Sequence, residues 1–402
     1  MRVRKSRAMQ WFLLSTACAA SLLACKSPSD SGAGSPANRA AISKSWELPL
    51  GSRGEGALAL SDDGTIIAAC QDGFVYAVDP RGVLQWKTYV GPTAASPAIG
   101  PDGAIYIANN NGAVYALNRA GSQRWQSIVY EGNTYGHNAA AVGTSFLFVP
   151  SRDGLKALNL SNGSLEWSAG VGTEQWGAVT LLADGTVLFG GHGRLNAVNT
   201  QGDIIWQYPP LTDEALQRNS GFPPPGDFFV VSGIAPGADH ILYLGMGRNV
   251  FAAVGQDAAL RWQLDTRGTT LNNASPVVAS DGTIYFSHSD GHLYAYDKFG
   301  AKKWAFDMRG ASQATPILAS DGTLFAIGGR NLYALSPAGS LLAKVDVAEA
   351  ISSPTLAPDG TIYVLNANGV LAAYAGGHGG LMNSAWPKFQ ADLANSGNQS
   401  SR

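Results

Sequence analysis

The amino-acid sequence predicts an all-β fold, an eight-bladed β-propeller built from four-stranded antiparallel blades. The first observation is a tryptophan that recurs in the pattern Gly-x-x-x-Trp or a close variant, at Trp86, Trp125, Trp167, Trp206, Trp262 and Trp304. The spacing between successive tryptophans is nearly constant, apart from one longer gap between Trp206 and Trp262. A period of roughly 40 residues indicates one supersecondary unit that is repeated many times.

The second observation is the pattern inside each repeat. In residues 94–129, short apolar runs alternate with turns at Asp102-Gly103, Asn110-Asn111-Gly112 and Ala120-Gly121. Short strands joined by Asp-Gly or Asn-Gly turns make a four-stranded meander, which is a propeller blade. The first turn recurs at Asp63-Gly64, Asp184-Gly185, Asp281-Gly282, Asp321-Gly322 and Asp359-Gly360. We expect each tryptophan to fill the wedge between neighbouring blades.

The third observation concerns the two ends of the repeat array. Eight first strands are predicted, near residues 57, 96, 139, 178, 232, 275, 315 and 353, but the last repeat stops after Tyr374. The run Ser45-Trp46-Glu47-Leu48 resembles a fourth strand, and Trp46 precedes Trp86 by one repeat length. We expect this N-terminal strand to complete the last blade, because closure removes two exposed sheet edges.

The N-terminal segment is predicted to direct export. Residues 1–24 combine Arg2, Arg4, Lys5 and Arg7 with an apolar stretch that is too short to span a bilayer. The run Leu22-Leu23-Ala24-Cys25 resembles a bacterial lipobox, which implies a lipoprotein signal peptide and lipidation of Cys25. The alternative is an ordinary secretory signal in which Cys25 is incidental.

Four segments follow from these patterns. They are a signal peptide over residues 1–24, a flexible tether over 25–43, the propeller over 44–376 and a C-terminal tail over 377–402. The expected location is the cell envelope, with a lipid anchor in the outer membrane and the propeller facing the periplasm.

Charge and cysteine content narrow the function classes. Removing residues 1–24 takes four of the 27 basic residues and leaves 29 acidic ones, a net charge of about −6. A mildly acidic chain without a basic cluster is a poor nucleic-acid binder, so we expect no nucleic-acid partner. Cys70 would have no disulfide partner in the processed chain, and its apolar neighbours predict a small core residue.

One inter-repeat gap is clearly longer than the others. The excess, residues 208–229, falls between the fourth and fifth repeats and is rich in aromatic residues and proline. We interpret this insert as a partner-binding surface, with Phe222, Pro224 and Phe228 as candidate contacts. The alternative is a lid that packs on its own ring.

No catalytic, metal or cofactor site is predicted. His288 and His292 flank a turn at a spacing that could share a metal, but no third ligand is visible nearby and a polar turn explains them. The Asp-Gly pairs lack the dense carboxylate spacing of a calcium loop. Gly190-Gly191-His192-Gly193 is not followed by the Lys-Ser/Thr pair of a phosphate loop.

The repeat resembles that of the pyrroloquinoline-quinone-type (PQQ-like) propeller family. Ser275-Pro276 through Trp304 is the best internal match, and the resemblance covers residues 45–376. The tail motif Trp386-Pro387-x-Phe389-x-x-Asp392 followed by Gly397 also resembles a segment that accompanies these repeats.

Two branches of this family imply different functions. Quinoprotein dehydrogenases imply a quinone, calcium ligands, a carboxylate base and commonly an adjacent-cysteine disulfide. This chain has no Cys-Cys pair, and its aligned channel positions hold a single carboxylate, as the set Glu55, Ala94, Trp176, Asn273, Gln313 and Ile351 shows. The eight-bladed lipoproteins of the outer-membrane β-barrel assembly machinery share the blade count, the lipobox and the closing strand.

The resemblance therefore favours a non-catalytic envelope lipoprotein that acts as a protein-binding scaffold, with outer-membrane protein assembly as its implied role. Its expected partners are envelope proteins and, through the lipid, the membrane. The alternative is a PQQ-dependent dehydrogenase-like quinoprotein.

Overall fold

The computed structural model of the protein describes residues 41–130, 139–151, 153–170, 177–191, 194–209, 232–246, 250–266 and 274–400. Every regular element in these ranges is a β-strand, and the strands form four-stranded antiparallel sheets. The described sheets are the eight blades of a β-propeller, so the predicted fold class is confirmed.

Seven blades take their four strands consecutively along the chain. Blades one to four comprise β2 (Ala59–Leu60), β3 (Ile66–Ala69), β4 (Phe74–Val78), β5 (Leu84–Tyr89); β6 (Ala98–Ile99), β7 (Ile105–Ala108), β8 (Ala113–Leu117), β9 (Gln123–Ile128); β10 (Ala141–Val142), β11 (Phe146–Ser151), β12 (Gly154–Asn159), β13 (Leu165–Ala169); and β14 (Thr180–Leu181), β15 (Val187–Gly191), β16 (Arg194–Val198), β17 (Ile204–Tyr208).

Blades five to seven comprise β18 (Ala235–Pro236), β19 (Ile241–Met246), β20 (Val250–Gly255), β21 (Leu260–Asp265); β22 (Val277–Val278), β23 (Ile284–Ser287), β24 (His292–Tyr296), β25 (Lys302–Asp307); and β26 (Ile317–Leu318), β27 (Leu324–Gly328), β28 (Asn331–Leu335), β29 (Leu341–Asp346). Blade eight combines β30 (Thr355–Leu356), β31 (Thr361–Leu365) and β32 (Val370–Ala375) with the N-terminal strand β1 (Ser43–Pro49).

Apolar packing joins each blade to the next around the complete ring. A cluster that includes Ile66, Val78 and Leu371 lies between blades eight and one, and a cluster that includes Ile67, Ile105 and Leu117 lies between blades one and two. Equivalent clusters link the other neighbouring pairs. The first three strands of each blade are buried between the neighbouring blades and consist mainly of apolar residues. The fourth strands lie at the rim, where exposed and half-buried residues alternate.

The N-terminal strand completes the last blade as predicted. Strand β1 pairs antiparallel with β32, with Trp46 opposite Ala373 and Leu48 opposite Leu371. Blade eight thereby has the same four strands as the other blades, and it packs against both blade seven and blade one.

The repeated tryptophans pack between neighbouring blades, as the wedge interpretation predicted, and Ala343 takes the equivalent position in blade seven. The indole of Trp46 lies against Gly82, where a Cβ atom would come within 2.7 Å of the ring, and the φ of Gly82 is +86°. Only glycine suits both the close approach and the left-handed backbone. In six of these tryptophans, the indole Nε1 also donates to a carbonyl oxygen in the next blade, in the pairs Trp46–Pro80, Trp86–Arg119, Trp125–Leu160, Trp167–Thr200, Trp262–Lys298 and Trp304–Pro337.

Cys70 lies in the packed interior of the ring. Cys70 is fully buried in the cluster between blades eight and one, which confirms the core prediction, and burial raises the pKa of its thiol to about 12.

Within the described ranges, the structure contains no helix with the length and apolar character needed to cross a membrane.

Candidate functional site

The ring presents two faces that differ in their loops and in what covers them. The hub face carries the turns between first and second strands and between third and fourth strands, such as those at Gly64 and Gly82. The open face carries the turns between second and third strands, such as Gly73, and the connections from each blade to the next. The central channel runs between the two faces and is lined by the short first strands.

Hydroxyl side chains bind neighbouring first strands together inside the channel. In four of the described pairs, a backbone N–H of one blade donates to a hydroxyl oxygen near the start of the first strand of the next blade. These pairs are Ala57–Ser96 at 2.8 Å, Gly233–Ser275 at 2.8 Å, Ser275–Thr315 at 2.9 Å and Thr315–Ser353 at 2.9 Å. Buried N–H groups on the inner strand edges thus find acceptors without water.

The open-face mouth of the channel is a shallow cavity. Its lining includes Glu55, Gln313, Ile351 and the hydroxyls of Ser96, Thr315 and Ser353, and the ring of Phe389 forms part of its wall. The cavity measures about 30 Å³, which is room for an ordered water molecule. Glu55 forms an ion pair with Arg53 at 3.0 Å.

The described residues at the channel mouth do not form the calcium site that the dehydrogenase branch of the fold implies. Glu55 is the one carboxylate in the cavity lining, and calcium prefers six to eight oxygen ligands. Across the described ranges, no three His, Cys, Asp or Glu side chains are grouped closely enough to hold a metal ion.

The C-terminal segment, residues 377–400, closes the channel from the hub face. First-strand N–H groups at the same position in six blades donate to carbonyl oxygens of this segment at 2.7–2.9 Å. The pairs are Leu60–Leu393, Ile99–Ala394, Val142–Ser396, Leu181–Gly397, Val278–Trp386 and Leu318–Pro387. In blade five the equivalent position is Pro236, which has no N–H to donate.

Lys388 organises the centre of this segment. Its side chain is fully buried, and Nζ donates to the carbonyl oxygens of Phe389 at 3.0 Å and Asp392 at 2.9 Å and to Oδ1 of Asn395. Asn395 in turn donates from Nδ2 to the carbonyl oxygens of Ala57 and Pro97. The ammonium group therefore holds the loop of residues 388–395 together, and Asn395 connects this loop to blades one and two. A buried charge is tolerated only when it has hydrogen-bond acceptors of this kind.

Aromatic residues anchor the segment at two depths. Trp386 is buried in a cluster with Tyr243, Phe251 and Phe286 between blades five and six. Phe389 contacts Ala57, Ala139 and Ala178 inside the ring, where these small residues leave space for its side chain. The amino-acid sequence shows the motif of this segment, but it does not predict that the segment lies in the channel.

The structure allows a partial comparison with the residues singled out by sequence. The residues Cys25, Trp176, His192, Phe222, Pro224, Phe228 and Asn273 lie outside the described part of the chain. His288 and His292 both approach Oδ1 of Asp290 through Nδ1, at 3.2 and 3.3 Å. Burial alone would raise the pKa of Asp290, but hydrogen bonds from Tyr294 and the His292 N–H outweigh it and lower the pKa. His288, Asp290 and His292 thus form a polar turn, and the expectation that they hold no metal stays a prediction.

Comparison with known proteins identifies the family. A family profile described as outer membrane protein assembly factor BamB matches residues 43–146, 71–223 and 191–377, which together span nearly the whole propeller. The chain belongs to this PQQ-like β-propeller family.

Two solved structures share the family's fold at low identity. BamB from Moraxella catarrhalis has 19% identity and a TM-score of 0.67, covering 84% of this chain and 98% of that chain. A europium-containing methanol dehydrogenase has 12% identity and the same TM-score of 0.67, covering 83% of this chain and 93% of that chain. Because both identities are low, the likeness is one of fold alone.

A curated relative matches only a short stretch. The uncharacterized protein YxaL of Bacillus subtilis (strain 168) is 42% identical over 48 residues, which is 12% of this chain and 12% of that protein. A match of this length is about one repeat unit, so it supports the repeat type alone.

Proposed function

We propose that the protein is a non-catalytic, protein-binding scaffold of the cell envelope that takes part in outer-membrane protein assembly. The observation that carries this proposal is the family match over residues 43–377, since that family is described as an outer membrane assembly factor. The lipid on Cys25 would hold the propeller at the outer membrane on the periplasmic side. Its partners would be envelope proteins, and the acidic net charge disfavours nucleic acid.

The insert over residues 208–229 is the proposed partner surface. Among the described residues on either side of its central part are Tyr208, the last residue of β17, and Ser232, which precedes β18, and both are buried. The Ser232 hydroxyl accepts a hydrogen bond of 2.9 Å from the N–H of Gly245, which fixes the returning end. Phe222, Pro224 and Phe228 would supply the apolar contacts with a partner.

Recovery of envelope partners tests this surface. Phe222→Ala combined with Phe228→Ala should reduce copurification of envelope proteins from solubilised membranes, while the thermal midpoint stays unchanged. Phe299→Ala is the matched control, because Phe299 is 76% exposed in a hub-face turn of blade six. If the insert variant and Phe299→Ala recover equal amounts of envelope proteins, the partner contacts another part of the ring. Replacing residues 210–226 by a short Gly-Ser linker provides a second, larger change.

The anchor is tested separately from the partner. Cys25→Ser should remove acyl-chain attachment, so that the protein leaves the membrane fraction. Unaltered processing and unaltered membrane retention after a salt wash would contradict lipidation at Cys25.

The rival function is a quinone-dependent dehydrogenase, because the fold is shared with a methanol dehydrogenase. Incubating the purified protein with pyrroloquinoline quinone and calcium separates the two functions. A scaffold should bind no stoichiometric quinone and show no dye-linked oxidation of alcohols or sugars. Stoichiometric binding with turnover would replace the scaffold proposal.

A further inference from the structure

We propose that the hub-face end of the channel is a peptide-binding site, filled here by the protein's own C-terminal segment. A segment of the same chemistry from another polypeptide can take its place. The ligand class is a peptide that carries a Trp-Pro pair followed by lysine and phenylalanine and that folds into the turns seen here, where φ is positive at Gln390, Ala391 and Asn395. This inference is independent of the proposed partner surface at residues 208–229.

The donors of the site belong to the ring and are regularly placed. The first strand is the inner edge of each blade, and one of its N–H groups points to the channel at Leu60 and at the equivalent positions of five other blades. The acceptors are backbone carbonyls between Trp386 and Gly397, so this part of recognition depends on peptide geometry and not on side-chain identity. Each of six blades contributes one N–H group, so the main-chain hydrogen bonds hold the segment at six places around the channel.

The pockets supply side-chain specificity. Trp386 is buried among aromatic residues of blades five and six, and Phe389 lies among alanines in the channel. Asn395 donates to carbonyl oxygens of blades one and two through its side-chain amide, at 3.3 and 3.1 Å. These three side chains contact different parts of the ring, so binding depends on both the sequence of the peptide and the spacing of these residues along it.

The covalent connection to the ring is glycine-rich. It runs Gly376-Gly377-His378-Gly379-Gly380, and Gly377 and Gly379 have φ values of +64° and +69°. A Cβ atom at Gly377 would meet nothing within 4 Å, so extra residues can be accommodated there. The segment is thus held mainly by its own contacts, as a bound peptide is, and a cut in this connection should leave it in place.

The test is to cut the connection in the intact folded protein. A specific protease site is inserted between Gly376 and Gly377, and the protein is cleaved after folding. The cleaved segment should coelute with the ring in gel filtration, with the near-ultraviolet circular dichroism unchanged. A fluorescent synthetic peptide of residues 377–402, added in excess, should then exchange into the ring up to one per ring.

Variant peptides test the recognition itself. A peptide with Trp386→Ala should bind about 30-fold more weakly or worse, since it loses a buried aromatic anchor. Gln390→Met is the matched control, because Gln390 is equally buried but neither atom of its amide has a hydrogen-bond partner within the described part of the protein. The control peptide should exchange as the natural one does.

Three results would overturn the inference. Loss of the near-ultraviolet signal on cleavage would make the segment an integral part of the fold. Retention of the cleaved segment with no entry of labelled peptide, at any temperature below unfolding, would have the same meaning. Equal binding of the natural and Trp386→Ala peptides would show that the association lacks the proposed specificity.

Discussion

The indole Nε1 of Trp46 donates a hydrogen bond of 2.9 Å to the carbonyl oxygen of Pro80, and this bond joins the last blade of the ring to the first. Trp46 lies on β1 in blade eight, and Pro80 lies in the turn before β5 in blade one. The same indole-to-carbonyl contact joins blades that follow each other along the chain, as Trp86 and Arg119 show. Ring closure therefore uses the interaction that also connects five other pairs of neighbouring blades.

Trp46→Ala should lower the free energy of unfolding by about 2–3 kcal/mol, because a partly buried indole and its hydrogen bond are lost at the point of closure. Urea denaturation measures the change. Lys44→Ala is the control on the same strand, since its ion pair with Glu47 is exposed, and it should leave the transition midpoint unchanged. Deleting residues 44–49 should have a larger effect than Trp46→Ala, because it also exposes the edge of β32. An unchanged midpoint after the deletion would contradict closure by this strand.

Lys388→Met should lower the free energy of unfolding by about 3 kcal/mol, because it keeps the length of the side chain but removes a buried, fully bonded ammonium group. That group donates to the buried carbonyls of Phe389 and Asp392 and to Oδ1 of Asn395. Lys303→Met is the control, because Lys303 bonds to Thr283 at the partly exposed rim, and it should have a much smaller effect. If both variants unfold at the same denaturant concentration, the buried ammonium does not stabilise the loop.

Asp321 should make stability depend on pH in the acid range. Burial alone would raise the pKa of Asp321, but the N–H of Thr323 and the ring of His378, whose Nδ1 lies 3.1 Å from Oδ2, outweigh burial and lower the pKa. A carboxyl with a lowered pKa stabilises the fold above its unfolded value of about 3.9, and the stabilisation is lost as pH falls through the folded value.

Asp321→Asn should therefore be less stable than the natural protein between about pH 5 and 7, by thermal denaturation, with the difference shrinking below about pH 4. Asp184→Asn is the comparison, since Asp184 accepts the Thr186 N–H in the equivalent turn and contacts no histidine among the described residues. A gap between Asp321→Asn and the natural protein that stays constant throughout the acid range would show that the carboxylate charge contributes nothing.

The thiol of Cys70 should be unreactive in the folded protein. Burial raises the pKa of this thiol to about 12, and the thiolate is the reactive form. Iodoacetamide at mildly alkaline pH should leave the Cys70 peptide unmodified by mass spectrometry, and full modification should follow addition of denaturant. Rapid labelling in native buffer would mean that the interface between blades eight and one opens readily.

The fold was accessible from sequence because its determinants are local and repeated. The spacing of Trp86, Trp125 and Trp167 indicated the repeat unit, and the Asp-Gly turns indicated the strand order within it. The isolated strand at Trp46 indicated the closure, because the last repeat lacks a fourth strand after Tyr374 and this strand can supply it. The interpretation of the histidine turn also needed only local spacing.

The arrangement in the channel required the tertiary structure. Sequence showed the tail motif around Trp386 but not that Lys388 would be buried in the ring, since a lysine in a polar tail is ordinarily exposed. The segment and the ring groups that bind it belong to distant parts of the chain, as the contact between Asn395 and Ala57 shows. Repeat periodicity determines which residues face a neighbouring blade, whereas the occupant of the space at the centre is decided only when all eight blades are assembled.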